Sequence, residues 1–252
     1  MAEGPLVHHY AHQLAELLEG EPVEVEFGIK RLEGEGASFD GTAVVAVDPH
    51  GKQFRIRFSD GRLILVHLLM WGSWGIYTLG AEWEKPRDRA RLVLRTHARE
   101  VVAFSAPVIQ LMDAEELTDS KWGGLGPDPL RDDFSREEVH RRMGRHPDHD
   151  VGDVLLDQRV LAGVGNILRN EILFGARVHP TRKVCELAEE EREQILDWTE
   201  RLMRQWLEEM GGKQGWTRVY RRSGKACPRC GATIEYFKNA GRRASACPKC
   251  QR

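Results

Sequence analysis

The feature that most limits how this chain can fold is a pair of Cys-x-x-Cys steps, Cys227-Pro-Arg-Cys230 and Cys247-Pro-Lys-Cys250, separated by sixteen residues. Four thiolates at that spacing make the cage that tetrahedral Zn²⁺ occupies in a zinc ribbon. Between the pairs lie Ile234, Tyr236 and Phe237, then Asn239-Ala240-Gly241, a Gly-containing turn that suits a hairpin. So small a hairpin buries too little apolar surface to fold alone, and metal binding has to supply the free energy. Two disulfides are the other way to join four cysteines. The chain start lacks the basic and apolar regions of a secretory signal and gives no sign of an oxidising compartment. The expectation is one structural Zn²⁺ per chain in a cytoplasmic protein, nucleoid-associated if bacterial, with Cys185 left over as a reduced thiol.

Charge says what the ribbon is for. Residues 213–252 hold eleven Lys and Arg against one acid, Glu235, a formal +10. The whole chain is −2, so residues 1–212 carry −12. A basic module on an acidic body is the asymmetry of a nucleic-acid contact surface, whereas a merely solvated face would mix signs. The remainder is ordinary in composition, and no run approaches the ~18 apolar residues of a membrane helix.

Taken in order, residues 6–18 place Tyr10, Leu14, Leu17 and Leu18 on one helical face. His8, His12 and Glu16 share another, read as a solvated face rather than a metal site. After Gly20 the period becomes two. Strands are predicted at Val23–Phe27, Ala43–Val47, Gln53–Phe58, Arg62–His67, Arg91–Arg95 and Glu100–Phe104, the pattern of an antiparallel sandwich or barrel. The stretch Gly123-Gly-Leu-Gly-Pro-Asp-Pro-Leu130 interrupts it as a linker. Helices follow: Ser135 to Met143 with a capping box at Ser135 and Glu138, then Val151–Val160, Asn166–Phe174 and Leu187–Met210. His146-Pro-Asp-His-Asp150 reads as a loop ending in an Asp cap. In the turn Ala162-Gly-Val-Gly-Asn166, two glycines let backbone approach an anion. Asn166 would cap the next helix while its free N–H groups face a phosphate.

Three stretches then coincide. Met1-Ala-Glu-Gly-Pro5, Leu155-Leu-Asp-Gln158 with Leu161-Ala-Gly-Val-Gly-Asn-Ile-Leu-Arg-Asn-Glu-Ile-Leu173, and Gly241-Arg-Arg-Ala-Ser-Ala-Cys-Pro-Lys-Cys-Gln251 resemble the Fpg/Nei family of base-excision DNA glycosylases. The resemblance runs the length of the chain and implies a multidomain α+β protein. Its parts would be an N-terminal β-sandwich with an N-terminal helix (1–122), a linker (123–134), a helix–two-turn–helix domain (135–212) and a zinc ribbon (213–252). It implies a glycosylase with AP lyase activity acting on damaged duplex DNA, and on single-stranded or forked DNA, as a monomer. A non-catalytic protein that binds damaged or abasic DNA is the competing reading.

In the resembled mechanism the α-amine of the mature N-terminus, here Ala2, attacks C1′ of the damaged nucleotide and displaces the base. It leaves a Schiff base from which the 3′ and often the 5′ phosphate are eliminated. An α-amine suits this work because its reference pKa of ~7.7–8.0 leaves a neutral fraction at cellular pH. Glu3 matches the acid that assists sugar-ring opening, Lys52 the hairpin lysine that contacts phosphate, and Arg242 the ribbon arginine at the phosphates around the flipped nucleotide. Asn166 matches the turn residue on the same backbone, and Arg169 is counted with it as DNA-binding. His67-Leu-Leu-Met-Trp-Gly-Ser-Trp74 resembles the wedge loop that fills the hole left by an extruded base, with Leu69, Met70 and Trp71 as the wedge. Phe104-Ser-Ala-Pro-Val-Ile-Gln110 lacks the Arg-x-x-Phe-like insertion of the Fpg branch, which favours the Nei branch.

Four positions depart from the family pattern: Ala2 where proline is usual, Leu6 where Glu is usual, Ala244 where Thr is common, and a short Gly211–Arg221 connection. A primary amine still forms an imine, but without the ring constraint of proline, so altered lyase activity is expected.

Overall fold

The computed structural model describes residues 2–209, 217–239 and 241–252. They form two compact units. One holds Ala2 and Val7–Gly124; the other holds Glu3–Leu6 and Leu125–Arg252. The division at Gly124 falls inside the predicted linker, whose later part belongs to the second unit. There Gly126 donates to the Gln158 carbonyl (2.8 Å), Ala162 to that of Pro127 (2.9 Å), and Leu130 and Phe134 lie against the helical core.

Helix α1 runs from Gly4 to Leu18 and buries Val7, Ala11, Leu14 and Leu18. Of the polar face His8, His12 and Glu16, His8 alone is buried, whereas His12 and Glu16 are exposed as the sequence suggested. Eight strands follow in the first unit: β1 (Glu24–Phe27), β2 (Val44–His50), β3 (Gln53–Phe58), β4 (Leu63–His67), β5 (Ser73–Thr78), β6 (Ala90–Arg95), β7 (Arg99–Phe104) and β8 (Val108–Met112). They pair antiparallel into two four-stranded sheets, ordered β1-β6-β7-β5 and β2-β3-β4-β8. Leu63–Val66 of β4 and Val101–Phe104 of β7 read as unbroken apolar runs because both faces of these central strands are covered. Between the sheets, the Phe54 ring of β3 meets Trp74 of β5 edge-on at 5.3 Å. Strands β5 and β8 are additions to the predicted set: β5 begins within the stretch that resembles the wedge loop, and β8 begins directly after Pro107. Helix α2 (Ala114–Asp119) is a third addition, opened by a reciprocal capping box between Asp113 and Glu116.

The second unit carries α3 (Arg136–Met143), α4 (Val151–Val154), α5 (Asn166–Gly175) and α6 (Glu189–Glu208), then the ribbon hairpin β9 (Glu235–Asn239) and β10 (Arg242–Ala246). Ser135 caps α3 by accepting from the Glu138 N–H. The helix predicted over Val151–Val160 stops after one turn. Gln158 is drawn into the following loop instead, donating to the Leu156 and Val164 carbonyls and accepting from the Gly163 N–H. Ile195, Leu202 and Met203 of α6 join Leu168, Ile172 and Leu173 of α5 in one apolar core, with Trp198 and Trp206 packed at its margin. A smaller core of Phe174, Val219, Cys227, Ile234 and Cys247 fixes the ribbon to the helices. Among the described residues no helix is long and apolar enough to cross a membrane.

Candidate functional site

The first residues of most domains fray unless something ties them down. Here both residues after Met1 are buried. The Ala2 nitrogen donates to the Leu69 carbonyl at 3.3 Å within the first unit. Within the second, the Glu3 carboxylate accepts from the backbone N–H groups of Gly165 (3.2 Å), Ile167 (2.8 Å) and Leu168 (3.1 Å). These are the orphan donors that open α5, where a negative charge is favoured by the helix dipole. Gly165 is required, because a Cβ there would stand 2.3 Å from the Glu3 carboxyl carbon. Two sequence expectations change accordingly. Gly165, not Asn166, is the cap of α5, and the N–H groups expected to face a phosphate are taken by Glu3.

One side of α5 holds the ribbon. Asn166 donates from Nδ2 to the Arg243 carbonyl (3.0 Å), and Asn170 accepts through Oδ1 from the Ser245 N–H (2.7 Å). Arg169, expected among the DNA-binding residues, has no exposed surface. Its guanidinium donates to the Asn166 side chain (2.6 Å), the Asn239 side chain (2.9 Å) and the Arg243 carbonyl (3.2 Å). Burial pulls its pKa down to about 10, and the nearby Asp153 charge opposes that fall. Arg169 therefore acts inward, fixing both strands of the hairpin that carries the exposed Arg242. The sequence reading missed the partners: Asn239, which donates on to Asp150 (3.1 Å), and Glu171, whose carboxylate accepts from the N–H groups of Arg218, Val219 and Tyr220. Their signal was a polar quartet, Asn166, Arg169, Asn170 and Glu171, inside an otherwise apolar helix.

In the first unit, Leu69, Met70 and Trp71 stand out as exposed large apolar residues at 41%, 59% and 79% of full exposure. Their loop is closed by the Gly72 N–H on the Leu68 carbonyl (2.8 Å), with no room for a Cβ on Gly72. Lys52 lies in the turn joining β2 and β3, and its charge acts on His67 at the end of β4.

The four ribbon cysteines bring their sulfurs within 4.8 Å of one another and form the only such His, Cys, Asp or Glu cluster among the described residues. The sulfurs of Cys227 and Cys250 are 3.9 Å apart, and those of Cys230 and Cys247 are 3.5 Å apart. Tetrahedral Zn²⁺ with bonds of ~2.3 Å requires sulfurs ~3.8 Å apart, so the set fits that ion.

Comparison with known proteins agrees with this geometry. Residues 1–107 match the formamidopyrimidine-DNA glycosylase N-terminal domain, and residues 125–217 match the formamidopyrimidine-DNA glycosylase H2TH domain. Endonuclease 8 of Pectobacterium carotovorum subsp. carotovorum is 31% identical over the whole of both chains. Probable endonuclease 8 2 of Streptomyces coelicolor is 30% identical, over all of this chain and 94% of its own. Among solved structures, Lactococcus lactis formamidopyrimidine-DNA glycosylase, bound non-covalently to DNA containing an AP site, superposes over all of both chains. Its TM-score is 0.85 at 25% identity. From the buried Ala2-Glu3 start to the four-cysteine ribbon, the chain belongs to the Fpg/Nei family of DNA glycosylases.

Proposed function

We propose that this glycosylase and AP lyase of base excision repair works through an imine on the Ala2 amine. The observation that carries the reading is the tethering of the chain start: Ala2 held at its nitrogen, Glu3 fixed by three backbone donors. With Met1 removed, the amine attacks C1′ while Glu3 assists proton transfer to the ring oxygen, and the C1′–O4′ bond opens. The base then departs with a proton, and C1′ becomes an imine. Loss of a C2′ proton expels the 3′ phosphate, and a second elimination expels the 5′ phosphate. Lys52 and Arg242 are cations for the phosphates, and the second Nδ2 hydrogen of Asn166 is a further donor. Leu69, Met70 and Trp71 fill the space of the everted base. Cys227, Cys230, Cys247 and Cys250 hold one Zn²⁺, which maintains the hairpin presenting Arg242. The protein works on DNA as a monomer in the cytoplasm.

Substrate range follows from the short Gly211–Arg221 connection, of which residues 211–216 lie outside the described residues. A long loop there would close over one base and select it. A short one leaves room for oxidised pyrimidines and for bulky or crosslinked bases, ahead of 8-oxoguanine paired with cytosine. Eversion costs least where stacking is weak, so single-stranded, bubble and fork DNA should be processed at least as well as duplex. A side-by-side panel measuring released base and strand scission tests this. Best turnover on duplex 8-oxoguanine opposite cytosine, with bulky bases refused, would contradict the substrate range. Tight binding with no base released from any lesion would favour a non-catalytic damage-binding protein.

A further inference from the structure

The wedge loop and the chain start meet in one peptide. Leu69, whose side chain is in the exposed apolar set, carries the carbonyl that accepts from the Ala2 nitrogen. Its φ is +46°, in the left-handed region that a leucine adopts only when its surroundings impose it. The constraint lies two residues earlier. The Leu69 N–H donates to Nδ1 of His67 at 3.0 Å, the side chain of the intervening Leu68 is buried, and the Leu68 carbonyl takes the Gly72 N–H.

His67 is itself well anchored. It is the last residue of β4, paired with Val108 of β8, and its ring tilts against Trp122 at 6.0 Å between centroids. The Trp122 carbonyl accepts from the Gln53 side chain (3.0 Å), and Lys121 lies over the indole.

We propose that His67 is a positioning residue for the nucleophile. By accepting the Leu69 N–H it holds Leu69 in the backbone conformation that turns the Leu69 carbonyl onto the Ala2 nitrogen, so one loop sets both the base-replacing side chains and the attacking amine. The inference rests on the reading of Ala2 as the nucleophile. It needs a neutral imidazole with the proton on Nε2, since a protonated ring has no lone pair for Leu69. Burial supplies this by driving the His67 pKa down to about 4, and the Lys52 charge acts in the same direction. An amine that spends one N–H on a carbonyl is fixed in rotation with its lone pair pointing elsewhere, as attack requires.

The test uses the full chain with Met1 removed, DNA with a preformed abasic site, and borohydride trapping at saturating protein. His67→Ala is expected to slow trapping by about ten- to a hundred-fold while Kd for a reduced abasic site, which has no aldehyde, changes by no more than about twofold. His67→Asn, whose Oδ1 accepts at similar reach, should recover most of the rate. Three results overturn the proposal: wild-type trapping by His67→Ala, a His67→Asn variant as slow as His67→Ala, or a loss of affinity as large as the loss of rate. Peptide mapping separates this from the underlying reading. A wild-type adduct on a lysine sinks both, whereas an adduct on Ala2 with His67→Ala unimpaired removes only the positioning role.

Discussion

Glu3 shows how much one side chain is asked to do. Its carboxylate closes the N-terminus of α5 and is covalently next to the proposed nucleophile. Glu3→Gln keeps one acceptor oxygen but turns an NH₂ toward the backbone donors. Base release should fall by about a hundred-fold or more, since proton transfer in ring opening is lost, with much less effect on a preformed abasic site. Equal loss on both substrates would instead point to a damaged α5 terminus, and a thermal melt of the variant would show it. His67 gives a second residue-scale prediction. Its folded pKa, about 4, lies below the ordinary 6.5. Above pH 6.5 the ring is neutral folded and unfolded and contributes no pH dependence. Between 6.5 and about 4 the unfolded chain binds a proton that the folded one does not, so unfolding free energy falls as pH falls. Denaturant melts of wild type and His67→Asn should therefore differ by a constant above pH 6.5. Below it wild type should lose more stability per pH unit, and parallel curves throughout would refute the assignment. The four-cysteine cluster was legible because Cys-x-x-Cys spacing carries it, whereas Ala2 and Glu3 were singled out only by resemblance to the family. Asn239 and Glu171 were not, because their partners lie tens of residues away and no local period marks them.

At the scale of elements, α5 and the ribbon hairpin behave as one part. The polar quartet of α5 grips backbone on β10 and just before the first cysteine pair, while Phe174 shares a core with Cys227 and Cys247. Cys230→Ser or Cys247→Ser should lose roughly stoichiometric zinc and nearly all DNA affinity, because the strands presenting Arg242 unfold without their cage. Metal analysis with a binding titration checks this, and a zinc-free variant with normal affinity would contradict it. Arg169→Met leaves the cage intact but strips two hydrogen bonds from the hairpin and one from Asn166, leaving buried acceptors at Asn239 and Asn166. It should lower stability by about 2–3 kcal/mol while keeping zinc bound. Periodicity revealed most strands here to within a residue or two, since β3, β4 and β7 carry strong apolar patterns. It missed β5, where Gly72 and Gly75 dilute the pattern, and overextended α4, where tertiary bonds to Gln158 win over helical continuation.

The whole molecule joins an acidic body to a basic ribbon, +10 against −12, and residue counts alone make that contrast plain. The order of parts is equally legible, because a zinc ribbon, a Gly-x-Gly turn and the chain start each carry short-range spacing. Which side chains face inward is not: Arg169, basic and within a recognisable motif, reads as a DNA contact until its zero exposure is known. The central claim is that the amine of Ala2 does the chemistry, and reductive trapping tests it most directly. Full-length protein, with intact mass confirming loss of Met1, is incubated with abasic-site DNA and borohydride, digested, and the adducted peptide sequenced. The account predicts the reduced sugar on the nitrogen of Ala2, and no adduct when one extra residue precedes Ala2 although non-covalent binding persists. An adduct on Lys52 or another lysine, or full activity in a preparation that retains Met1, would contradict it.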